Sequence, residues 1–315
     1  MAKSARKIFF FVLWYVVNIV YNDTNKTVLR VLKLPWTVAS LQLGIGLLYI
    51  VPLWLTGLRS PPKLSFADLK TMLVPSLTHA ACQMLTVASL GAGSIAFVNA
   101  VKSVEPLSTA LFGAWLCKDV LPWQVNACLL PIVAGVALAS SATDMQFSWH
   151  CFVYALLSNV FSSLRAVLSK RAMAAFPPAK AMDAGNYFAL LTTLAFLLTL
   201  PFALFLEGHH LSSEWQQALA TGKHTANGLL FRVMASGVSF QLYNEASFHA
   251  LRLVHPLTHS VGNNAKRPLI VLYSVTRLGT TVKAQTIGGS ALAVSGLFLY
   301  ALTKRLYAPD RPKID

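Results

Sequence analysis

The chain has 315 residues, of which 55% are hydrophobic and 12% are charged, and its mean hydropathy is +0.57. This balance excludes an ordinary soluble domain and indicates an integral membrane protein. The net charge of +15 does not indicate nucleic-acid binding, because no basic patch is interleaved with polar sequence and many cations stand at the ends of apolar runs. We expect the lipid bilayer, and no nucleic acid, as the partner of this surface.

Apolar runs of about 20 residues each predict ten transmembrane helices. Short connectors marked by Pro and Gly separate them, such as residues 59–67 and 176–183. The longest polar stretch, residues 207–228, predicts an extramembrane loop with a short amphipathic helix. In chain order, the predicted helices span residues 7–28, 35–57, 68–91, 94–117, 120–141, 148–173, 183–206, 227–251, 255–276 and 283–304.

A short polar connector at residues 143–148 divides the ten predicted helices into two halves of five, residues 1–142 and 143–315. The two halves together form one transmembrane domain. Each half ends in the same order: a span with a lysine and a proline, a short charged turn, and a span of small residues. Since an odd number of helices reverses the direction of the chain, the two copies are inverted, and such transporters bind substrate near the middle of the membrane. The expected fold is an all-α integral membrane protein with ten transmembrane helices as two inverted five-helix repeats. The alternative is a chance likeness between membrane helices.

Three cations stand inside apolar stretches, namely Lys102 in the fourth predicted helix and the adjacent pair Lys266 and Arg267 in the ninth. A charge at bilayer depth costs roughly 2.5–3.5 kcal/mol on insertion scales, so such residues usually line a water-filled path or bind a ligand. Three cations with few acids at that depth indicate an anion, and hence an anion transporter. For Lys102 the alternative is a structural pair with Glu105, one helical turn away, and the two roles are compatible.

Other kinds of site find little support. The sequence contains no Ser/His/Asp set, acidic dyad, phosphate-binding Gly loop or HExxH helix, so we expect neither an enzyme nor a cofactor. His255 and His259 have a spacing that metal sites use, but no third ligand is evident, and we expect no metal. The four cysteines are interpreted as packing residues: Cys82, Cys117, Cys128 and Cys151.

The charges between the predicted helices give an orientation. An even number of helices puts both termini on one side, and most connector cations lie on that side, which the positive-inside rule assigns to the cytosol. No cleavage site or transit-type segment precedes the first helix. Either a presequence is missing from this chain or targeting is internal.

Three runs of the sequence resemble one transporter family. They are WYVVNI with Asn25 and Lys26, SIAFVNAVKSVEPL at residues 94–107, and VHPLTHSVGNNAKRPL at residues 254–269, with further matches at 158–174 and 242–244. These runs resemble the plastidic phosphate translocators, which include the triose-phosphate/phosphate and phosphoenolpyruvate/phosphate exchangers of the drug/metabolite transporter superfamily. The resemblance extends from about residue 9 to residue 305. Its most specific part is the GNNAKRP stretch, because nucleotide-sugar carriers of the same superfamily usually lack the adjacent Lys-Arg pair.

The resemblance implies that Lys102, Lys266 and Arg267 hold the phosphate. The chemistry suits this role, because a phosphate monoester carries between one and two negative charges and several strong acceptor oxygens near neutral pH. Arg267 can bind two of these oxygens through its planar fork, while the two lysines act as compact point charges.

Polar residues of the third and eighth predicted helices are expected to complete the cavity. The resemblance implies that Thr86 and Tyr243 line it, and Gln83 shares a helix face with Thr86 and His79. Gln83 departs from the family pattern of His or Asn, which favours a broadened three-carbon specificity, and Pro268 departs from the usual Val or Ile. Four further residues are candidates for a gate or for support of the binding residues: Arg165, His79, Glu105 and Lys26.

The function that the resemblance implies is an alternating-access antiporter. It would exchange phosphorylated three-carbon metabolites (triose phosphate, 3-phosphoglycerate or phosphoenolpyruvate) for inorganic phosphate, as a monomer, in a plastid envelope or a secondary, apicoplast-like plastid membrane. The alternatives are a nucleotide-sugar or other organic-anion carrier of the same superfamily, or a protein that transports nothing.

Overall fold

A computed structural model describes the backbone of residues 2–93, 95–118, 120–141, 148–176, 182–220, 222, 225–266 and 284–307. The described residues are helical apart from short connectors, and no strand occurs among them. In chain order, the α-helices are α1 (Ala2–Val31), α2 (Pro35–Leu55), α3 (Phe66–Ala92), α4 (Ile95–Lys102), α5 (Glu105–Cys117), α6 (Trp123–Ala127), α7 (Leu129–Ser141), α8 (Trp149–Ala175), α9 (Ala184–Glu207), α10 (Leu211–Ala220), α11 (Ala226–Leu253), α12 (described over residues 256–266) and α13 (Ala284–Tyr307).

Several of these helices have the length and the apolar composition of membrane spans. Among the described residues, five segments meet both criteria, and one of them joins α9 to α10. They are Pro35–Leu55, Phe66–Ala92, Trp149–Ala175, Ala184–Ala220 and Ile287–Tyr307. The protein is therefore an all-helical, multi-pass membrane protein over its described part, and the arrangement of ten spans as inverted repeats stays a prediction.

Two predicted spans are wrong as single helices. The predicted helix 94–117 is divided into α4 and α5, and the predicted helix 120–141 is divided into α6 and α7. In both cases the first helix ends four residues before a proline, at Lys102 before Pro106 and at Ala127 before Pro131. Proline has no N–H for the carbonyl four residues earlier, and its ring clashes with that carbonyl. Over the described residues, seven other predicted helices agree with α1, α2, α3, α8, α9, α11 and α13 to within a few residues at each end.

The helices form two compact units. The first consists of Met1–Gly91 and Ala172–Leu253, and the second consists of Ala92–Arg171 and Val254–Asp315. Each unit thus takes helices from both halves of the chain.

In the first unit, α1 packs along α11, and α2 packs against both α9 and α11. The core between these helices is aromatic, with Tyr21, Tyr187, Phe188 and Phe240 all at most 3% exposed. A glycine permits the close approach of α2 to α11, because a Cβ atom at Gly46 would lie 2.1 Å from the Gln241 side chain.

In the second unit, α7 packs along α13 and also contacts α4. The approach of α7 to α13 is closer than side chains normally permit: a Cβ atom at Gly135 would lie 2.4 Å from the Ala293 backbone nitrogen. Small residues at a helix interface allow this approach, as they do generally in membranes. Beside it, buried Val125, Leu129 and Ile132 pack with residues of α12 and α13.

Candidate functional site

The break between α4 and α5 lies in the second unit and carries one of the predicted phosphate ligands. Lys102 occupies the last turn of α4, and Glu105 occupies the first turn of α5. Each charge is stabilised there by the dipole of its own helix, which is negative at the carboxyl end and positive at the amino end. Lys102 is half-buried, and its Nζ atom donates to Ser158 Oγ at 2.8 Å.

Helix α8 presents a row of small polar side chains to this break. The row consists of Ser158, Asn159, Ser162 and Ser163, whose spacing places them on one helix face and which are all at most 5% exposed. Ser162 Oγ donates to Glu105 Oε1 at 2.8 Å, and Ser163 Oγ donates to the Glu105 carbonyl at 3.2 Å. Asn159 Nδ2 donates to the Val101 carbonyl at 2.9 Å. Hydrogen bonds from the side chains of α8 therefore stabilise the backbone at the break.

Helix α12 reaches the same break through two adjacent amides. Asn263 Nδ2 donates to Glu105 Oε2, and Asn264 Nδ2 donates to the Ser103 carbonyl, each at 2.6 Å. Lys266 follows two residues later and is 7% exposed. The structure thus brings the α12 segment that carries Lys266 to the break that carries Lys102. Arg267 and Pro268 lie outside the described residues.

This arrangement suits an anion with several acceptor oxygens. Two cations and several N–H and O–H donors come from segments that contact one another, and the one carboxylate, Glu105, already accepts two hydrogen bonds. Charges in a low-dielectric environment interact far more strongly than in water, so an anion placed here would be bound strongly. Glu105 was expected as a gate or supporting residue; it contacts α8 and α12, and its role stays a prediction.

The first unit contains a different polar cluster, centred on Gln42 of α2. Gln42 Nε2 donates to Asn25 Oδ1 at 2.8 Å and to Ser236 Oγ at 2.7 Å. Its Oε1 atom accepts from Gln83 Nε2 at 2.7 Å and from the Tyr21 hydroxyl at 3.3 Å. Gln42 is 1% exposed, and these bonds satisfy the full capacity of its amide. The buried amide of Gln42 therefore fixes the side chain of Gln83, a predicted substrate ligand.

Three other predicted residues lie near this cluster. The Tyr243 ring packs on the Tyr21 ring, with 4.8 Å between their centroids. His79 is 1% exposed and its ring is stacked against Phe240, with a centroid distance of 6.2 Å and an interplanar angle of 20°. Thr86 is half-buried on α3.

The two remaining gate candidates, Lys26 and Arg165, lie on α1 and α8. Lys26 of α1 donates from Nζ to the Leu90 carbonyl at 2.7 Å, which satisfies a carbonyl in the last turn of α3. Arg165 is half-buried in the middle of α8. Among the described residues, no group of three or more His, Cys, Asp or Glu side chains could hold a metal ion.

Comparisons with known proteins decide the family. The model of the triose-phosphate transporter family matches residues 5–301. Phosphoenolpyruvate/phosphate translocator 2 of Arabidopsis thaliana is 36% identical over 97% of this chain and 79% of its own length. The chain belongs to the triose-phosphate transporter family. The xylulose 5-phosphate/phosphate translocator of Arabidopsis thaliana is 35% identical over 95% of this chain and 70% of its own length. The non-green plastid triose phosphate/phosphate translocator of Brassica oleracea is 32% identical over 94% of this chain and 72% of its own length.

A solved structure supports the fold of this family member. The chain of a crystal structure of another protein matches with a TM-score of 0.65 over 98% of this chain and 99% of its own, at 15% sequence identity. At that identity the likeness shows a shared fold and nothing about the substrate.

Sequence reasoning missed the polar residues that support the predicted ligands. It assigned no role to Asn159, Asn264 or Gln42, although each is at most 1% exposed and bonds to another helix. The available signal was an amide inside an apolar run, since an amide in a membrane helix must find a partner.

An ion pair in the first unit was also missed. Arg59, in the connector after α2, pairs with Glu245 of α11, and His249 Nε2 lies 3.8 Å from the same carboxylate oxygen. The pair lies against α9, because a Cβ atom at Gly185 would be 2.8 Å from both side chains. Burial lowers the pKa of Arg59, but the hydrogen bond and charge of Glu245 outweigh it and raise the pKa above its ordinary value.

Proposed function

We propose that this protein is an antiporter that exchanges inorganic phosphate for phosphorylated metabolites by alternating access. The observation that carries the proposal is the bonding of the Lys266 segment of α12 to the α4–α5 break beside Lys102. Membership of the triose-phosphate transporter family supports it, and so do relatives whose names describe exchange of phosphate for phosphoenolpyruvate, xylulose 5-phosphate and triose phosphate.

In this proposal, Lys102, Lys266 and Arg267 bind the phosphate group that all these molecules share. A buried cation is stabilised by an anion that neutralises it and accepts its hydrogen bonds. Inorganic phosphate and a phosphate ester present the same oxygens, so one subsite serves both directions of exchange. Arg165 and Lys26 are proposed as gate residues and Glu105 as the support of the subsite.

Discrimination between metabolites is assigned to neutral residues. Gln83, Thr86 and Tyr243 are proposed to contact the part of the substrate beyond the phosphate. His79 is proposed to support these residues. We propose three-carbon compounds as the preferred class. The relatives named above carry substrates of three and five carbons, and the Gln83 amide can both donate and accept without titrating.

An inverted repeat is the proposed basis of alternating access. What supports it is the packing of α2 on α9 and of α7 on α13, because these pairs are the second with the seventh and the fifth with the tenth predicted spans. Such pairs are expected when two inverted halves of five helices are related by a pseudo-two-fold axis. We propose a plastid-type membrane, by analogy with the chloroplastic relatives, and cytosolic termini.

Reconstituted exchange tests this function. Liposomes that contain the purified protein are loaded with inorganic phosphate, with a nucleoside monophosphate, or with neither, and uptake of labelled triose phosphate, 3-phosphoglycerate, phosphoenolpyruvate or a nucleotide sugar is measured. We expect internal phosphate to accelerate uptake of at least one of these compounds. Acceleration of nucleotide-sugar uptake by the nucleoside monophosphate alone would instead identify a nucleotide-sugar carrier.

A further inference from the structure

The α4–α5 break removes backbone hydrogen bonds on both sides of Lys102. In a continuous helix, the N–H of residue 107 would donate to the Ser103 carbonyl, but here Leu107 N–H donates to the Val104 carbonyl at 3.0 Å. The Val101 carbonyl keeps only a long bond of 3.5 Å from Val104 N–H. Inside a membrane protein, each carbonyl released in this way needs another donor.

Two asparagines from two other helices supply those donors. Asn159 of α8 donates to the Val101 carbonyl at 2.9 Å, and Asn264 of α12 donates to the Ser103 carbonyl at 2.6 Å. Both asparagines are 0% exposed. The peptide group that joins Val101 to Lys102 and the one that joins Ser103 to Val104 are therefore each held by a buried amide.

Asn264 also connects the two lysines. It precedes Lys266 by two residues on α12, and its side chain is bonded to the residue after Lys102. A displacement of α12 from the break would move both cations relative to each other. A misplacement of about 1 Å can reduce activity on the order of a hundredfold when a site depends on geometry.

We propose that Asn159 and Asn264 are positioning residues of the phosphate subsite, which hold Lys102 and Lys266 in the geometry that binds phosphate. The inference rests on the proposed function. Neither asparagine contacts the substrate in this account. Each acts through the backbone of a residue next to Lys102, and Asn264 acts on Lys266 as well.

A positioning role predicts a specific kinetic pattern. Substitution displaces the cations and weakens binding of the phosphate group, so the KM of every exchanged compound rises by the same factor. We expect a rise of about tenfold for Asn264→Ala and a smaller rise for Asn159→Ala, because the Val101 carbonyl retains its bond from Val104. The turnover at saturation, per folded protein, changes much less.

Gln241 provides a matched control in the first unit. It is 3% exposed, and its Nε2 atom donates across helices to the backbone carbonyls of Gln42 and Leu43 at 3.2 and 3.4 Å. Gln241→Ala removes the same kind of bond, from a buried amide to a backbone carbonyl of another helix, in the unit that lacks the lysine pair. We expect this variant to lose stability without a change in the KM of phosphate homo-exchange.

The experiment measures KM and turnover for phosphate homo-exchange and for exchange of one phosphorylated metabolite, in liposomes with wild-type protein, Asn264→Ala, Asn159→Ala and Gln241→Ala. The thermal unfolding midpoint of each purified protein is measured with and without phosphate. A parallel rise of both KM values in the asparagine variants, with a reduced thermal shift by phosphate and neither effect in the control, is the expected result. If Asn264→Ala does not fold, Asn264→Ser and Asn159→Ala decide the question.

Unchanged KM values, with activity that follows the folded fraction, would overturn the inference and leave the proposed function intact. An equal rise in Gln241→Ala would overturn it too, since the effect would then belong to any lost interhelical bond. If the wild-type protein shows no saturable phosphate exchange, the proposed function fails and this inference fails with it.

Discussion

The buried polar clusters of the two units differ in charge. In the first unit, the cluster around Gln42 is neutral, and amides and hydroxyls satisfy one another. In the second unit, the cluster around the α4–α5 break contains Lys102, Glu105 and the segment that carries Lys266. In the proposed function, the cations of the second unit bind phosphate and the neutral polar residues of the first unit select among metabolites.

The charges of the first unit sharpen this contrast. Arg59 and Glu245 are of opposite sign and bonded to each other, so they form a structural pair. Lys102 and Lys266 are of the same sign and are carried by segments that touch. In the proposed function, Glu105 and a bound phosphate together supply the negative charge beside these two lysines.

The largest effect is expected from the cations of the phosphate subsite. Lys266→Ala or Arg267→Ala should abolish exchange of every substrate and leave membrane insertion largely intact, because each change removes a charge that phosphate requires. Arg267→Lys should also transport poorly, since it loses the planar two-pronged geometry. Uptake into phosphate-loaded liposomes, normalised to the amount of inserted protein, measures this. Near-normal uptake by Arg267→Ala would refute the assignment of the phosphate subsite.

A smaller and selective effect is expected from the first unit. Gln83→His should change the ranking of triose phosphate, 3-phosphoglycerate and phosphoenolpyruvate, because it replaces an amide that does not titrate with a ring that does. Phosphate homo-exchange should survive, since the cations are untouched. A counter-exchange panel from one preparation measures both quantities. Parallel loss of phosphate homo-exchange would assign Gln83 to the phosphate subsite and end the proposed division of labour.

The smallest effect on transport is expected from the ion pair of the first unit. Removal of one partner leaves a largely buried charge without its counterion, so Arg59→Ala and Glu245→Ala should each lower the thermal unfolding midpoint. The double variant should unfold no earlier than the less stable single variant, and all three should transport normally per folded protein. A double-mutant cycle on the unfolding midpoint tests this. Additive losses of stability would mean that the pair is not coupled.

Much of the fold could be predicted because a membrane constrains the sequence strongly. Apolar runs of sufficient length located the spans, and cations inside them were visible because such charges are rare. The breaks were less predictable. Pro106 and Pro131 each follow a helix end by four residues, whereas Pro75 and Pro201 lie inside the continuous helices α3 and α9. A proline permits a break, and tertiary contacts decide whether one forms.

The predicted ligands were accessible to sequence reasoning, and the residues that orient them were not. Lys102 and Lys266 could be recognised because a charged residue inside an apolar run is rare. Asn159, Asn264 and Gln42 have ordinary side chains whose importance depends on which carbonyl or amide lies opposite, at sequence separations of 58, 161 and 17 residues for the bonds concerned. Such pairings are set by the packing of helices and cannot be obtained from local pattern.

The central claim is that the protein exchanges phosphate one for one, and the electrostatics of the subsite give a reason. An empty carrier that changes sides would seal Lys102, Lys266 and Arg267 away from water with Glu105 but without phosphate, and this excess of positive charge should cost several kcal/mol even after relaxation. Since each 1.4 kcal/mol slows a step about tenfold, the empty carrier should cross orders of magnitude more slowly than the loaded one.

Efflux of labelled phosphate from liposomes that contain the wild-type protein tests this claim most directly. The account predicts slow efflux into plain buffer and fast efflux into buffer that contains unlabelled phosphate or a transported metabolite. Equally fast efflux into both buffers would show a uniporter or a channel, and would contradict the account.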